Sequence, residues 1–222
     1  MKLALFDLDG TLIPTDSDHA FGEFVIGLGW ADGARHRRRN DEFLRQYVEG
    51  RLDIDAYVDF ATAPWRDRRP DELAAAVARF VDEVARPALC ESALALVRRH
   101  QDDGDRVAIV TATNEFVTRP IAELFGVETL IATELCRDND GRVTGAIDGV
   151  PSFRDGKISR VQAWLAGDGL TFESFERSTF YSDSTNDLPL LERVSHPVAT
   201  NPGPALESIA QARGWPILRL FE

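Results

Sequence analysis

Three short apolar runs in this chain each break off into hydroxyls or carboxylates, and that repeated pattern limits the possible folds more than any other feature. Leu3 to Phe6 closes on Asp7-Leu8-Asp9-Gly10-Thr11, Val107 to Val110 on Thr111, and Thr179 to Tyr181 on Ser182-Asp183. A short apolar run bounded by turn-forming residues reads as a buried strand. Between the runs lie helical stretches, Ser92 to His100, Glu115 to Phe125 and Lys157 to Leu165. This alternation predicts an α/β fold, a doubly wound parallel sheet with helices on both faces. In such sheets ligands bind outside the carboxyl ends of the strands, where the polar residues gather.

From about Asp16 to Pro87 no strand pattern occurs, and helices are interrupted at Gly33, Gly50, Pro64 and Pro70. The chain is therefore expected to form a core from residues 1–15 and 88–222, with an all-helical insertion over 16–87. With 222 residues, 44% of them hydrophobic, there is apolar material for one full core and a second small one. In the last helix of the insertion Pro70-Asp71-Glu72 supplies a favourable first turn, and Leu73, Val77, Phe80, Val81 and Val84 fall on one face. Pro87 is expected to end that helix. Asp140-Gly141 followed by Val143 to Ile147 has the chemistry of a hairpin turn.

Charge narrows the partners. Lys and Arg number 25 against 37 Asp and Glu, a formal net charge of −12 that repels a nucleic-acid backbone or an anionic membrane. Neither nucleic acid nor membrane is an expected partner. Cys90 and Cys136 lie too far apart for a CxxC pair, which argues against a disulfide framework and for a reducing, cytoplasmic setting. Met1 to Asp7 meets a carboxylate before a signal-peptide apolar region could develop, and no run approaches the ~18 apolar residues of a membrane span.

Asp7 and Asp9, held on alternate residues at the end of a buried strand, repel each other and need a cation to stay ionised. Asp183 and Asp187 bring more negative charge to the same edge. Few oxygen ligands with retained waters point to Mg²⁺ over Ca²⁺. Thr111 offers a hydroxyl, the amides from Ala112 to Asn114 lead into a helix N-terminus, and Lys157 can neutralise a phosphate oxygen. Together these residues predict a phosphoryl-transfer site, where positioning and charge neutralisation do most of the work. No Walker loop, GxGxxG or GxSxG occurs, and the four histidines show no ligand or triad spacing.

Phe6-Asp7-Leu8-Asp9-Gly10-Thr11-Leu12, Val110-Thr111, Gly156-Lys157 and Ser182-Asp183-Ser184-Thr185-Asn186-Asp187 resemble, in order, the four motifs of the haloacid dehalogenase-like hydrolases. Ile131 to Leu135, Asp140 to Gly145 and Gly156-Lys157 look like the phosphoserine phosphatase-like branch (subfamily IB), whose Rossmann-like core carries a helical cap between the first two motifs. The resemblance implies that Asp7 is the nucleophile of an aspartyl-phosphate mechanism and Asp9 the general acid and base. It implies Mg²⁺ held by Asp7, the Asp9 main-chain carbonyl and Asp183, with Asn186 and Asp187 supporting the metal or the phosphate. Thr111, Ala112 and Lys157 would bind the phosphoryl oxygens. An acid at position 9 favours phosphatase or phosphomutase chemistry over dehalogenation.

In the branch's phosphoserine phosphatases an acidic residue after the first motif and a cap arginine grip the substrate. Asp16 matches the former, and counting along the cap from Glu49-Gly50-Arg51-Leu52 places Asp59 where the arginine is expected. An acid there favours an amine over a carboxylate, hence an amino-alcohol phosphate. Asp16-Ser17-Asp18 is similar to the stretch in branch members proposed as histidinol-phosphate phosphatases. Trp30 or Trp65 is a candidate to stack on the substrate's ring. The expected partner is a small phosphorylated metabolite. The alternatives are a phosphoserine phosphatase, a phosphotransferase, and a non-catalytic module that binds a phosphate-bearing ligand.

Overall fold

A computed structural model of the protein describes residues 1–221. Its strands are β1 (Lys2–Phe6), β2 (Arg106–Asn114), β3 (Leu130–Thr133), β4 (Leu135–Arg137), β5 (Val143–Ile147), β6 (Arg177–Ser182), β7 (His196–Thr200) and β8 (Ile217–Leu218). Six of these form one sheet in the order β3-β2-β1-β6-β7-β8, every neighbouring pair parallel. The expected doubly wound sheet is thus present, and β1 is its pivot. The chain moves outward from β1 through β2 to β3, then returns to β1's other side at β6. A crevice opens at such a reversal, outside the carboxyl ends of the strands. Asp7 stands there, its amide donating to the Tyr181 carbonyl at 2.9 Å.

The pleat of β1 sends alternate side chains into two cores. Ala4 and Phe6 join one, Leu3 and Leu5 the other. Helices α1 (Ser17–Gly27), α2 (Gly33–Val48), α3 (Ile54–Thr62) and α4 (Pro70–Phe80) make up the inserted segment, and no strand interrupts them. They are followed by α5 (Glu91–Asp102) and α6 (Glu115–Leu124), which cover the Phe6 face, and by α7 (Asp155–Gly167), α8 (Leu188–Arg193) and α9 (Pro204–Arg213), which cover the Leu5 face. The insertion's helices start where the sequence supplies caps. Asp16, Asp32 and Asp53 each accept a backbone N–H three residues on, at 2.8, 3.0 and 3.1 Å. Pro70 opens α4 without a side-chain cap.

The end of α4 differs from expectation. The α-helix stops at Phe80, passes into a π-helical turn over Val81–Ala85, and only then tightens into a 3₁₀ turn over Arg86–Ala88 that contains Pro87. Widening the helix by a residue rotates the downstream face, so Ala85 reaches the core while Val81 and Val84 are only partly buried. The hairpin over β4 and β5 forms as expected, with Gly141 at φ +78° in its turn. Among the described residues no helix is long and apolar enough to cross a membrane.

The insertion is packed onto the sheet domain through aromatic rings. Trp65 is 1% exposed, stacks on Phe116 of α6 at 4.3 Å between centroids, and lies edge-on to Phe21 at 6.3 Å. It is a core side chain that joins the two regions. Truncation to Ala is expected to lower the unfolding free energy by about 3–5 kcal/mol. Urea unfolding of Trp65→Ala checks this, and a loss below about 1 kcal/mol would show that the ring carries no such packing.

Candidate active site

The strand ends deliver their polar residues to one cluster. Lys157, on the first turn of α7, is 2% exposed, and its Nζ lies 2.8 Å from both Asp7 Oδ1 and Asp187 Oδ2. Asp187 Oδ2 also accepts from the Ser182 hydroxyl at 2.7 Å. An ammonium with two carboxylates satisfies the rule that buried charges are paired. Burial alone would lower the Lys157 pKa, but Asp187 and Asp7 reverse this and hold it above its ordinary value. Burial pushes the Asp7 carboxyl up to about 6, with Lys157 pulling it down and Asp187 pushing it further up.

Asp9 is held from two sides. Its Oδ1 accepts the Ser17 amide at 2.8 Å and its Oδ2 the Thr113 hydroxyl at 2.8 Å. Burial, then Asp16 and Asp7, raise its pKa well above the carboxylate range, which favours the protonated form that a general acid requires. Asp183 is likewise raised, by burial and by Asp7 and Asp187. Thr11 joins the two strand ends, its hydroxyl accepting from the Asp183 amide at 3.0 Å and lying 3.2 Å from Asp183 Oδ1. Gly10, at φ +73°, is required here because a Cβ would stand 2.5 Å from Asp183 Oδ2.

This donor set fits Mg²⁺. Asp7 is buried and Asp183 half-buried, both hard oxygen donors whose mutual repulsion a divalent cation would relieve, and the Asp9 carbonyl can add a third oxygen. Two carboxylates and a carbonyl would leave the remaining coordination positions to water, as Mg²⁺ prefers.

Asp7, Asp9 and Asp183 of this cluster meet a cavity of about 270 Å³, with Lys157 and Asp187 outside its lining. Asp7, Asp9, Thr111, Ala112 and Asp183 line its floor. Asp16, His19, Asn40, Phe43, Tyr47 and Tyr57 line the wall contributed by the insertion. Of the expected specificity residues, only Asp16 faces this space. Asp59 does not: its side chain is 67% exposed and pairs with Arg66 at 2.5 Å. That pair sits over Gly145 of β5, whose missing Cβ leaves Arg66 room. Trp65 is withdrawn into the core, as described above. Trp30 packs against the same core under the Arg68 guanidinium, 4.8 Å from its ring centroid. The expectation that Ala112 to Asn114 lead directly into a helix also changes: β2 runs on through Asn114, which caps α6 by accepting the Val117 amide at 3.2 Å.

Several residues were not anticipated. Thr113 gave no clear signal, since β2 is irregular between Val110 and Asn114 and Thr111, Ala112 and Thr113 all line the cavity. Thr11, inside the first motif, was within reach. Tyr47, Asn40 and Tyr57 gave no signal, because a helix in the insertion reveals its apolar face and not what that face meets. Burial and the neighbouring Asp187, Asp7 and Asp183 hold the Tyr47 phenol far above its ordinary pKa, which places it beside the carboxylate cluster.

Comparison with known proteins agrees with the geometry. The model of the haloacid dehalogenase-like hydrolase family matches residues 4–192. A histidinol-phosphatase of Neisseria meningitidis serogroup C (strain 8013) is 45% identical over 217 residues, 98% of this chain and 98% of the relative. A phosphoserine phosphatase of Mycobacterium tuberculosis is 30% identical over 225 residues, 96% of this chain and 69% of the relative. Among solved structures, a protein of unknown function from Bordetella pertussis Tohama I superposes with a TM-score of 0.93 at 50% identity, over 99% of both chains. A substrate-bound phosphoserine phosphatase superposes with a TM-score of 0.69 over 98% of this chain and 92% of that one; at 18% identity it supports the fold alone.

The buried triad of charges has a measurable consequence. Lys157→Ala leaves Asp7 and Asp187 without their counter-ion and is expected to cost about 3–5 kcal/mol of stability at pH 8. Carboxyls whose folded-state pKa exceeds the unfolded value penalise the fold above that folded pKa and cease to do so below the unfolded one. Hence the deficit should shrink as the pH falls toward 5. Urea unfolding at both pH values reads this directly, and an equal deficit at each would contradict the pairing.

Proposed function

The chain belongs to the haloacid dehalogenase-like hydrolases, and from that membership and the charged cavity we propose that it is a Mg²⁺-dependent phosphomonoesterase acting on a small amino-alcohol phosphate such as histidinol phosphate. Asp7 attacks the phosphorus, forming an aspartyl-phosphate as the ester P–O bond breaks. Asp9 gives its proton to the departing alkoxide, then takes one from the water that attacks the aspartyl-phosphate and frees Asp7 and phosphate. Lys157 holds Asp7 in line and offers positive charge to the phosphoryl group. The Thr111 hydroxyl, which accepts the Thr113 amide at 3.2 Å, keeps its own proton to donate to a phosphoryl oxygen. Mg²⁺ bound by Asp7, Asp183 and the Asp9 carbonyl supplies neutralisation of the charge that repels a phosphate from this floor. The insertion, residues 16–87, acts as a cap that screens the site from bulk water.

One observation carries the substrate class. Among the described residues, the cavity lining includes Asp16 beside aromatic rings and an amide, but no arginine or lysine. A substrate ammonium finds a carboxylate there, while a substrate carboxylate finds no arginine or lysine, His19 being the one basic side chain of the lining, and meets like charge. This supports an amino alcohol over O-phosphoserine through Asp16, which the sequence indicated, and not through Asp59, which takes no part. The histidinol-phosphatase of Neisseria meningitidis supports the same reading through its 45% identity. Asn40, Phe43 and Tyr57 provide an apolar and hydrogen-bonding wall suited to an imidazole. A small soluble metabolite of the cytoplasm is the natural substrate for such a site.

Phosphate release across phosphorylated amino alcohols, amino acids and sugars tests the substrate. Histidinol phosphate is expected to exceed O-phosphoserine in kcat/KM by about 100-fold, the scale of about 3 kcal/mol for an unpaired carboxylate in an acidic pocket. Preference for O-phosphoserine would refute the reading of the lining. Release without an added alcohol acceptor separates hydrolysis from phosphotransfer. Asp7→Asn is expected to reduce turnover by about 10⁴-fold or more; a variant with full Mg²⁺-dependent activity would remove Asp7 from its role.

A further inference from the structure

We propose that Arg154 is a positioning residue that latches the helical cap onto the core. Its backbone is the first sign. Arg154 adopts φ +53° and ψ −122°, a region that a residue with a Cβ enters only when its surroundings hold it there. Asn201 is the other non-glycine residue at positive φ among those described, and asparagine tolerates that region far better than arginine.

The surroundings of Arg154 explain what holds it. Its guanidinium donates to the Gly50 carbonyl, in the loop that follows α2, and its Nε lies 3.4 Å from Asn186 Oδ1. Asn186 in turn donates through Nδ2 to the Tyr47 carbonyl at 3.1 Å. Two core side chains thus grip two carbonyls at and just beyond the C-terminal end of α2, where the helix dipole favours a cation; the Tyr47 carbonyl also accepts the Gly50 amide at 3.0 Å. Gly50 makes the approach possible: it sits at φ +69°, and a Cβ there would stand 2.8 Å from Arg154 Nη2. The guanidinium also lies 5.0 Å from the centroid of the Phe153 ring, which is 6.0 Å from that of Tyr47.

Arg154 does not line the cavity, so it acts through what it holds. On the cap side this is the turn at Gly50, held directly, and the Tyr47 carbonyl, held through Asn186; Tyr47 and the flanking Val48 and Leu52 are part of the cavity wall. On the core side its carbonyl accepts the Lys157 amide at 3.0 Å, opening α7. Elsewhere the insertion is tied to the core near its point of entry, by Ser17 on Asp9 and by Asn114 on Asp18 at 3.1 Å, and further along by the Trp65–Phe116 stack and by Arg66 over Gly145 of β5. The Arg154 contact holds the end of α2, which none of these reaches. Breaking it lets α2 lift while α1 stays fixed, lowering the population of the binding-competent state. The apparent affinity for substrate falls by that fraction, with little effect on the chemical step.

The kinetic arm of the test rests on the phosphatase reading, whereas the contact itself does not. Arg154→Gly removes the guanidinium and relieves the backbone; Arg154→Lys keeps a cation without the planar fork. Backbone amides 49–51, bonded to carbonyls of α2, report opening by hydrogen exchange. In Arg154→Gly they are expected to exchange about 10-fold faster, with amides of β1 unchanged. KM for histidinol phosphate and for p-nitrophenyl phosphate should rise about 10-fold with kcat within about twofold, and Arg154→Lys should fall between. Native exchange at 49–51 overturns the latch. Faster exchange with an unchanged KM overturns the positioning role and leaves a structural contact. If the native protein releases phosphate from no phosphomonoester, the phosphatase reading fails, and exchange alone decides the latch.

Discussion

The ammonium of Lys157, buried between Asp7 and Asp187, is the interaction on which the site depends. Two carboxylates this deep would otherwise be driven to protonate or to separate. The lysine holds them together and leaves Asp7 with one oxygen engaged and the other turned toward Thr11, 3.4 Å away. It does not neutralise Asp9 and Asp183, both held well above the carboxylate range by burial and by neighbouring acids. A site so constructed is internally balanced on one side and acidic on the other. The acidic side carries negative charge that a divalent cation would offset and that otherwise repels a phosphate.

That balance requires parts from distant stretches of chain. β1 brings Asp7 and Asp9, β2 brings Thr111 and Thr113, β6 leads to Asp183 and Asp187, and α7 brings Lys157. They meet because β1 pairs with β2 on one side and β6 on the other, with Phe6 opposite both Ile109 and Tyr181. Phe6 stacks on Tyr181 with ring centroids 4.8 Å apart. Register along a parallel sheet is therefore what sets the height of each functional group above the strand ends, and two buried faces leave that register no freedom to slip.

Much of this was legible in the residues alone. The apolar runs ending in carboxylates and hydroxyls reveal buried strands and their functional ends, because a strand buried on both faces has no other use for an abrupt polar stop. Asp16, Asp32 and Asp53 mark three helix starts through ordinary capping chemistry. The errors have equally physical causes. Asp59 was assigned by counting along a helical segment, and a helix turns its side chains through 100° per residue, so a small misalignment exchanges cavity wall for surface. The residue instead pairs with Arg66 on the side facing β5. Trp65 was a plausible ring to stack on substrate, yet a large aromatic placed between two packed regions is drawn into their shared core by the area it buries.

The sequence by itself determined the class of fold, the helical insertion and the residue types of the phosphate and metal chemistry, because strand periodicity, caps and charged motifs are local properties of the chain. Only the tertiary structure decided which residues line the cavity and how the insertion is held. Asp16, Asn40 and Tyr57 share one wall, and Arg154 reaches Gly50, through the packing of helices against a sheet. Such contacts depend on the relative rotation and height of whole elements, which no local pattern encodes.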